Sequence, residues 1–278
     1  MSDVIRVLVA VGAAGVSAGA CGQSSRATYE LTFESLWSQA RQGNAYLPSA
    51  HFSPLIGGVH SDQVSFWEPG GLASEGIERM AETGSRNQLR NEVNAAIDAG
   101  TAESRVLGSR IDDFPESTTV TFEASATSGV SHDRLTLVTM VAPSPDWFVG
   151  THGLPLRDAQ GDWIDEIVVD LDVYDAGTDS GVELTSPDAD TNPQEPIRNI
   201  QNESPFNGVP VLGRFTLRLV GIDECTADVN GDGLLTPADF TSWIAAFNAS
   251  DPAADQNADS LVTPADFTAW VLNFNAGC

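Results

Sequence analysis

Lysine is missing from the 278-residue chain: all 13 basic residues are arginine, set against 39 acids for a formal charge of −26. Without a lysine amine there is no Schiff base, no PLP attachment, no Walker-A phosphate grip and no Ser-x-x-Lys acyl enzyme. Scarce, scattered positive charge also argues against a nucleic-acid partner, which needs a cationic stripe to displace counterions. His-Glu-x-x-His does not occur, so the 4 histidines bring no recognisable zinc-hydrolase motif. Beyond the first twenty residues no apolar run approaches the ~18 needed to span a bilayer.

With 41% apolar and 19% charged residues, the chain can bury a sizeable core. Its length suits one module of about 150–200 residues plus an appendage. So large an acid excess suits strong hydration, a saline medium or divalent cations.

The N-terminus pairs Arg6 with an apolar stretch over 7–20 that ends in Ala18-Gly19-Ala20, just before Cys21. This pattern predicts a secretory signal peptide over 1–20 and an extracytoplasmic, secreted or cell-surface protein with no transmembrane segment in its mature form. A buried N-terminal strand or helix is the alternative, less suited to a Gly/Ala-rich stretch followed by Gln23-Ser24-Ser25-Arg26. A lipid anchor at Cys21 would want a larger aliphatic residue at position 18. Of the 3 cysteines, Cys225 and Cys278 then remain and bracket the last segment. In an oxidising compartment they predict a bridge, one that stabilises by about 4 kcal/mol in the chain-entropy model.

An internal repeat starts at Asp228 and again at Asp255, with 14 identities in 22 aligned positions. Each copy opens with the oxygen spacing of a twelve-residue calcium loop. The first offers Asp228, Asn230, Asp232, the Leu234 carbonyl and Asp239, with Gly233 at the turn; the second offers Asp255, Asn257, Asp259, Leu261 and Asp266. Two Asn/Asp-rich turns without metal are the bland reading, and a duplicated ligand spacing speaks against it. A helix follows each loop: Thr236 and Thr263 are N-cap candidates, Pro237 and Pro264 fit the first helical position, and Asp239 and Asp266 favour the helix dipole. Phe240, Trp243, Ile244 and Phe247, and again Phe267, Trp270, Val271 and Phe274, form one apolar face per copy, so the copies should pack together.

With Asp at position 12, this tandem resembles a type I dockerin. That likeness implies a small EF-hand-like helical domain over 225–278 and a cohesin-like or cell-surface receptor as partner. Ser260 stands where the turn prefers glycine, which predicts a weaker second site. The terminal cysteine pair is not typical of dockerins.

Upstream, strand patterns dominate. Tyr29, Leu31 and Phe33, then Val120, Phe122 and Ala124, then Phe215, Leu217 and Leu219 alternate with mostly polar neighbours, and 135–141 and 164–173 are rich in β-branched residues. One helix is expected, around Leu89, Val93, Ala96 and Ile97. The pattern predicts a mainly β fold: an antiparallel sandwich with a decorated edge. Two loops, 143–150 and 175–181, follow strands and carry Asp146, Asp175 and Asp179. Brought together unpaired, these charges would repel by several kcal/mol at ~4–5 Å, and a Ca²⁺ would remove that repulsion. Asp beside Gly, Pro and Ser is also ordinary turn chemistry. The Pro/Asn/Asp-rich stretch 181–210 shows little strand pattern and is expected to wrap this end.

The segments HFSPLIGGVHS (51–61), ASEG (73–76), PSPDWFVG (143–150) and DAGTDSG (175–181), in that order, resemble the spondin domain of extracellular matrix proteins. The likeness covers about 190 residues, assigned as 28–220. It implies a C2-like β-sandwich that binds one Ca²⁺ through Asp146, Asp175 and Asp179, and a role in adhesion to an unidentified extracellular ligand rather than catalysis. Arg157-Asp158-Ala159-Gln160-Gly161 replaces a cysteine pair of animal members, so their particular partners are not carried over. Together the two resemblances imply a secreted, calcium-binding, non-catalytic adhesion protein. The alternative is a dockerin-borne extracellular hydrolase acting on polysaccharide.

Overall fold

The computed structural model describes residues 7–10, 25–112, 114–127, 130–232 and 234–276. Strand β1 is Val7–Ala10, β2 Ser25–Ser35, β3 His51–Phe52, β4 Ile56–His60, β5 Ala102–Leu107 and β6 Ser117–Ala126. Strands β7 Arg134–Ala142, β8 Trp147–Pro155, β9 Glu166–Leu171, β10 Val173–Asp175, β11 Arg198–Asn199 and β12 Gly213–Glu224 follow. The helices are α1 Gln39–Gln42, α2 Glu75–Thr83, α3 Asn87–Asp98, α4 Pro237–Ala249 and α5 Pro264–Ala276.

Two antiparallel sheets carry the main module. One has the order β1-β9-β12-β2-β6, the other β11-β10-β8-β7-β4-β5, with β3 beside β7. In β2 the residues Ala27, Tyr29, Leu31 and Phe33 are wholly buried, and Phe215 and Leu217 of β12 and Ile167 and Val169 of β9 share their cluster. Leu135, Leu137 and Val141 of β7 enter the same cluster from the second sheet. The period-two pattern read from sequence is therefore the inner face of a sandwich. Pairing of β2 with β12 runs out to Ser25↔Glu224, past both limits of the expected 28–220 module.

Two expectations need correction. A second helix, α2, precedes the expected one, and both cover a sheet face rather than decorate an edge. Strand β7 is apolar on both sides: Val138 and Met140 face a second cluster with Ile77 and Met80 of α2 and Leu89 and Val93 of α3. A strand buried on both faces needs a covering layer on each. Gly58 lets α3 approach, since a Cβ there would lie 2.9 Å from Val93 Cγ1. Ser74 caps α2 by accepting the Ile77 N–H, and Gly84 ends it in the left-handed region. That Ser…Gly bracket, around Ile77, Met80 and Ala81, was the signal available in sequence.

Within the expected leader, β1 pairs antiparallel with β9 as an edge strand. The Ala18-Gly19-Ala20 site, Cys21, Gly233 and Cys278 lie outside the described residues.

In the tail, Ala227, Trp243, Ala254 and Trp270 form a separate cluster with Phe240, Phe247 and Phe274 against it. The two copies pack reciprocally: Trp243 Nε1 donates to the Ala254 carbonyl and Trp270 Nε1 to the Ala227 carbonyl, both at 3.2 Å. Thr236 and Asp239 form a capping box, with Pro237 opening α4.

Candidate functional site

Strand register builds the acidic tip. Asp175 ends β10 opposite Trp147, the first residue of β8, which sets Asp146 beside it. The Ala176 N–H closes the junction on the Asp146 carbonyl at 3.2 Å. Gly177 makes the turn that follows, at φ +74° with the Glu195 carbonyl 2.1 Å from where a Cβ would stand, so only glycine fits.

All three predicted aspartates are brought together and buried: Asp146 is 0% exposed and Asp175 and Asp179 5% each. Asp146 Oδ2 accepts the N–H groups of Thr178 at 2.7 Å and Asp179 at 3.0 Å. Its Oδ1 is buried with no hydrogen-bond partner. Burial, reinforced by the negative charge of Asp175, pushes the Asp146 carboxyl up to about 6. Burial also raises Asp175, with the Arg198 guanidinium opposing that shift. Asp175 Oδ1 accepts the Gly177 N–H, and Asp179 accepts those of Gly181 and Ala189.

Two further participants escaped the sequence reading. Arg198, from the patternless stretch 181–210, lies opposite Asp175 in the β10–β11 pair and donates to its Oδ2 at 2.8 Å. Glu82 of α2 is raised by burial and by the charges of Glu78 and Asp179, so a fourth carboxylate reaches this end. The stretch 181–210 does wrap the tip: Ala189 and Arg198 hold Asp179 and Asp175, while Leu184, Ile197, Ile200 and Phe206 are buried.

The tail loops share most of one hydrogen-bond scheme. The Asp232 N–H donates to Asp228 Oδ1 and Asn230 Oδ1, and the Asp259 N–H to Asp255 Oδ1 and Asn257 Oδ1. Leu234 and Leu261 N–H groups donate to Asp232 and Asp259. Asp239 and Asp266, both fully buried, tie each loop to its helix through the N–H groups of Thr236 and Thr263. Gly231 of the first loop, at φ +70°, is replaced in the second by Ala258 at φ +56°, and Ser260, aligned with Gly233, stands at φ +68°.

Among the described residues, no three His, Cys, Asp or Glu side chains are grouped closely enough to hold a metal as they stand. The donor chemistry nevertheless fits a hard cation at the tip. Asp146 Oδ1 is an unpaired oxygen in a desolvated, like-charged setting, and a carboxylate oxygen that accepts one hydrogen bond keeps a second lone pair. His60 is structural by contrast: 1% exposed, it is bonded at Nδ1 to the Ser61 carbonyl and at Nε2 to the Thr136 hydroxyl.

Residues 27–210 match the family model Spondin_N. The chain is 37% identical to Spondin-1 of Rattus norvegicus over 196 residues, 67% of this chain and 23% of that protein. It is 36% identical to Spondin-2 of Homo sapiens over 230 residues, 76% of this chain and 68% of that protein. The chain thus spans about a quarter of the Spondin-1 relatives it matches. No helix among the described residues is long and apolar enough to cross a membrane. The chain belongs to the spondin N-terminal domain family and, like its secreted matrix relatives, is an extracellular protein.

Proposed function

We propose that this is a calcium-dependent, non-catalytic adhesion or binding protein, with a C2-like spondin sandwich carried on a dockerin-like tail. The observation that carries the reading is Asp146: a fully enclosed carboxylate with an unpartnered oxygen beside a second carboxylate. Asp146, Asp175 and Asp179 would hold one Ca²⁺ at the tip. Asp228, Asn230, Asp232, Leu234 and Asp239 would hold a second, and Asp255, Asn257, Asp259, Leu261 and Asp266 a third. The ion supplies charge compensation, so its binding free energy appears as folding stability.

The chain's own part is to hold the loops in register: β8 and β10 align Asp146 with Asp175, and backbone N–H groups orient each carboxylate. The tail, closed by a Cys225–Cys278 bridge, would dock on a cohesin-like or cell-surface receptor. Cys225 is buried, 8% exposed, at the start of that segment, which supports the bridge. Leu234 and Leu261, 65% and 62% exposed at equivalent loop positions, offer apolar contacts for a receptor.

A carboxyl near 6 beside another would suit a glycosidase acid, the competing reading. Asp146 is 0% exposed, however, and a general acid must reach the leaving oxygen. Calcium at 100 times its Kd should stabilise by about 2.7 kcal/mol, a rise of about 5–10 °C in Tm for a domain of this size. We expect EDTA to reverse that rise and Asp175→Ala to remove part of it. A melting curve indifferent to EDTA overturns the reading.

A further inference from the structure

We infer that Arg198 is a built-in counter-cation of the acidic tip, standing on Asp175 in the metal-free chain and opposing a divalent ion there. The inference rests on the calcium reading of Asp146, Asp175 and Asp179. Arg198 faces Asp175 as its direct cross-strand partner, so register alone delivers the guanidinium to the carboxylate. The contact is 2.8 Å, and the Asp175 side chain is 7% exposed against 48% for Arg198. The acid is fixed and enclosed; the base is half in solvent and held on its other side by Glu203. Asp146 Oδ1 is enclosed and without a hydrogen-bond partner, whereas Arg198 serves the neighbouring carboxylate.

One guanidinium thus covers one of several acids, and a divalent ion arriving at Asp146 meets it across Asp175. Two positive charges on the ion and one on Arg198, at ~6 Å in a water-like dielectric, repel enough to weaken binding about tenfold. Withdrawal of Arg198 from Asp175 would load β11, so calcium at the tip is coupled to the stretch 181–210 through this side chain as well as through the Ala189 N–H on Asp179.

The test is a calorimetric calcium titration of the full chain carrying Asp228→Ala and Asp255→Ala to silence the tail loops. In that background Arg198→Gln should bind calcium about tenfold more tightly and melt lower in EDTA. Arg198→Lys, which keeps the charge, should stay near the parent on both counts. A merely structural Arg198 would instead give weaker calcium binding in Arg198→Gln. Unchanged or weaker binding in Arg198→Gln, with parent binding that Asp146→Ala abolishes, overturns the counter-cation alone. Absence of any Asp146-dependent binding overturns the calcium reading with it. Should Arg198→Gln fail to fold, Glu203→Gln leaves the guanidinium to Asp175 alone and should weaken calcium binding; no change or tightening overturns the inference.

Discussion

Asp146 is expensive to keep ionised. With the folded carboxyl near 6 against an ordinary value of 3.8, the native chain without bound cation takes up a proton more readily than the unfolded chain does. The sign follows: the penalty is fully present above about pH 6, shrinks as pH falls, and is gone below the unfolded value. Its size is about 3 kcal/mol. In EDTA the chain should therefore gain stability between pH 7.5 and 4.5 relative to Asp146→Asn, whose side chain has no proton to take up. Parallel melting curves for the two proteins across that range refute the assignment. Residue identity made Asp146, Asp175 and Asp179 legible, because short polar side chains in Gly/Pro loops announce themselves locally. Arg198 was not legible: it lies 23 residues from Asp175 in a stretch without period, and only strand pairing joins them.

At the scale of elements, the two tail loops share most of one hydrogen-bond scheme but not one backbone cost. A non-glycine residue in the left-handed region costs about 1–2 kcal/mol, and the second loop places Ala258 and Ser260 there. Replacing both by glycine should stabilise the tail by about 1 kcal/mol, after the greater entropy of the unfolded glycines, and should tighten calcium binding at that loop. Calorimetric melting of the double variant beside the parent checks this; a lower tail transition would contradict it. The departure at Ser260 was visible in the aligned repeats, whereas that at Ala258 becomes meaningful only once its φ is known. Helix α2 went unread for a related reason. Its apolar face is three residues, Ile77, Met80 and Ala81, too short a run to stand out until the β7 face beneath it is seen.

On the scale of the whole molecule, apolar side chains gather into separate clusters: the sandwich interior, the layer beneath α2 and α3, and the tail. The tail cluster is small, with Trp243 and Trp270 buried in it, so a covalent closure would matter more to it than to the sandwich. Heating should produce two transitions. Reductant should lower only the tail transition, by the several degrees that a loss of about 2–4 kcal/mol implies. A reductant-insensitive tail, or loss of the sandwich transition on reduction, rules out a Cys225–Cys278 bridge that serves the tail alone.

Taken by itself, the order of residues determined what short-range physics controls. Alternation in β2 and β12 made a sandwich face, the duplicated Asp/Asn spacing made two matching loops, and Thr236-Pro237 started a helix. Tertiary structure alone decided which sheet face the helices cover, that Glu82 joins the acidic tip, and that Arg198 meets Asp175. Those contacts join residues far apart in the chain, and no local period or spacing encodes a pairing that forms only when separate strands and helices pack.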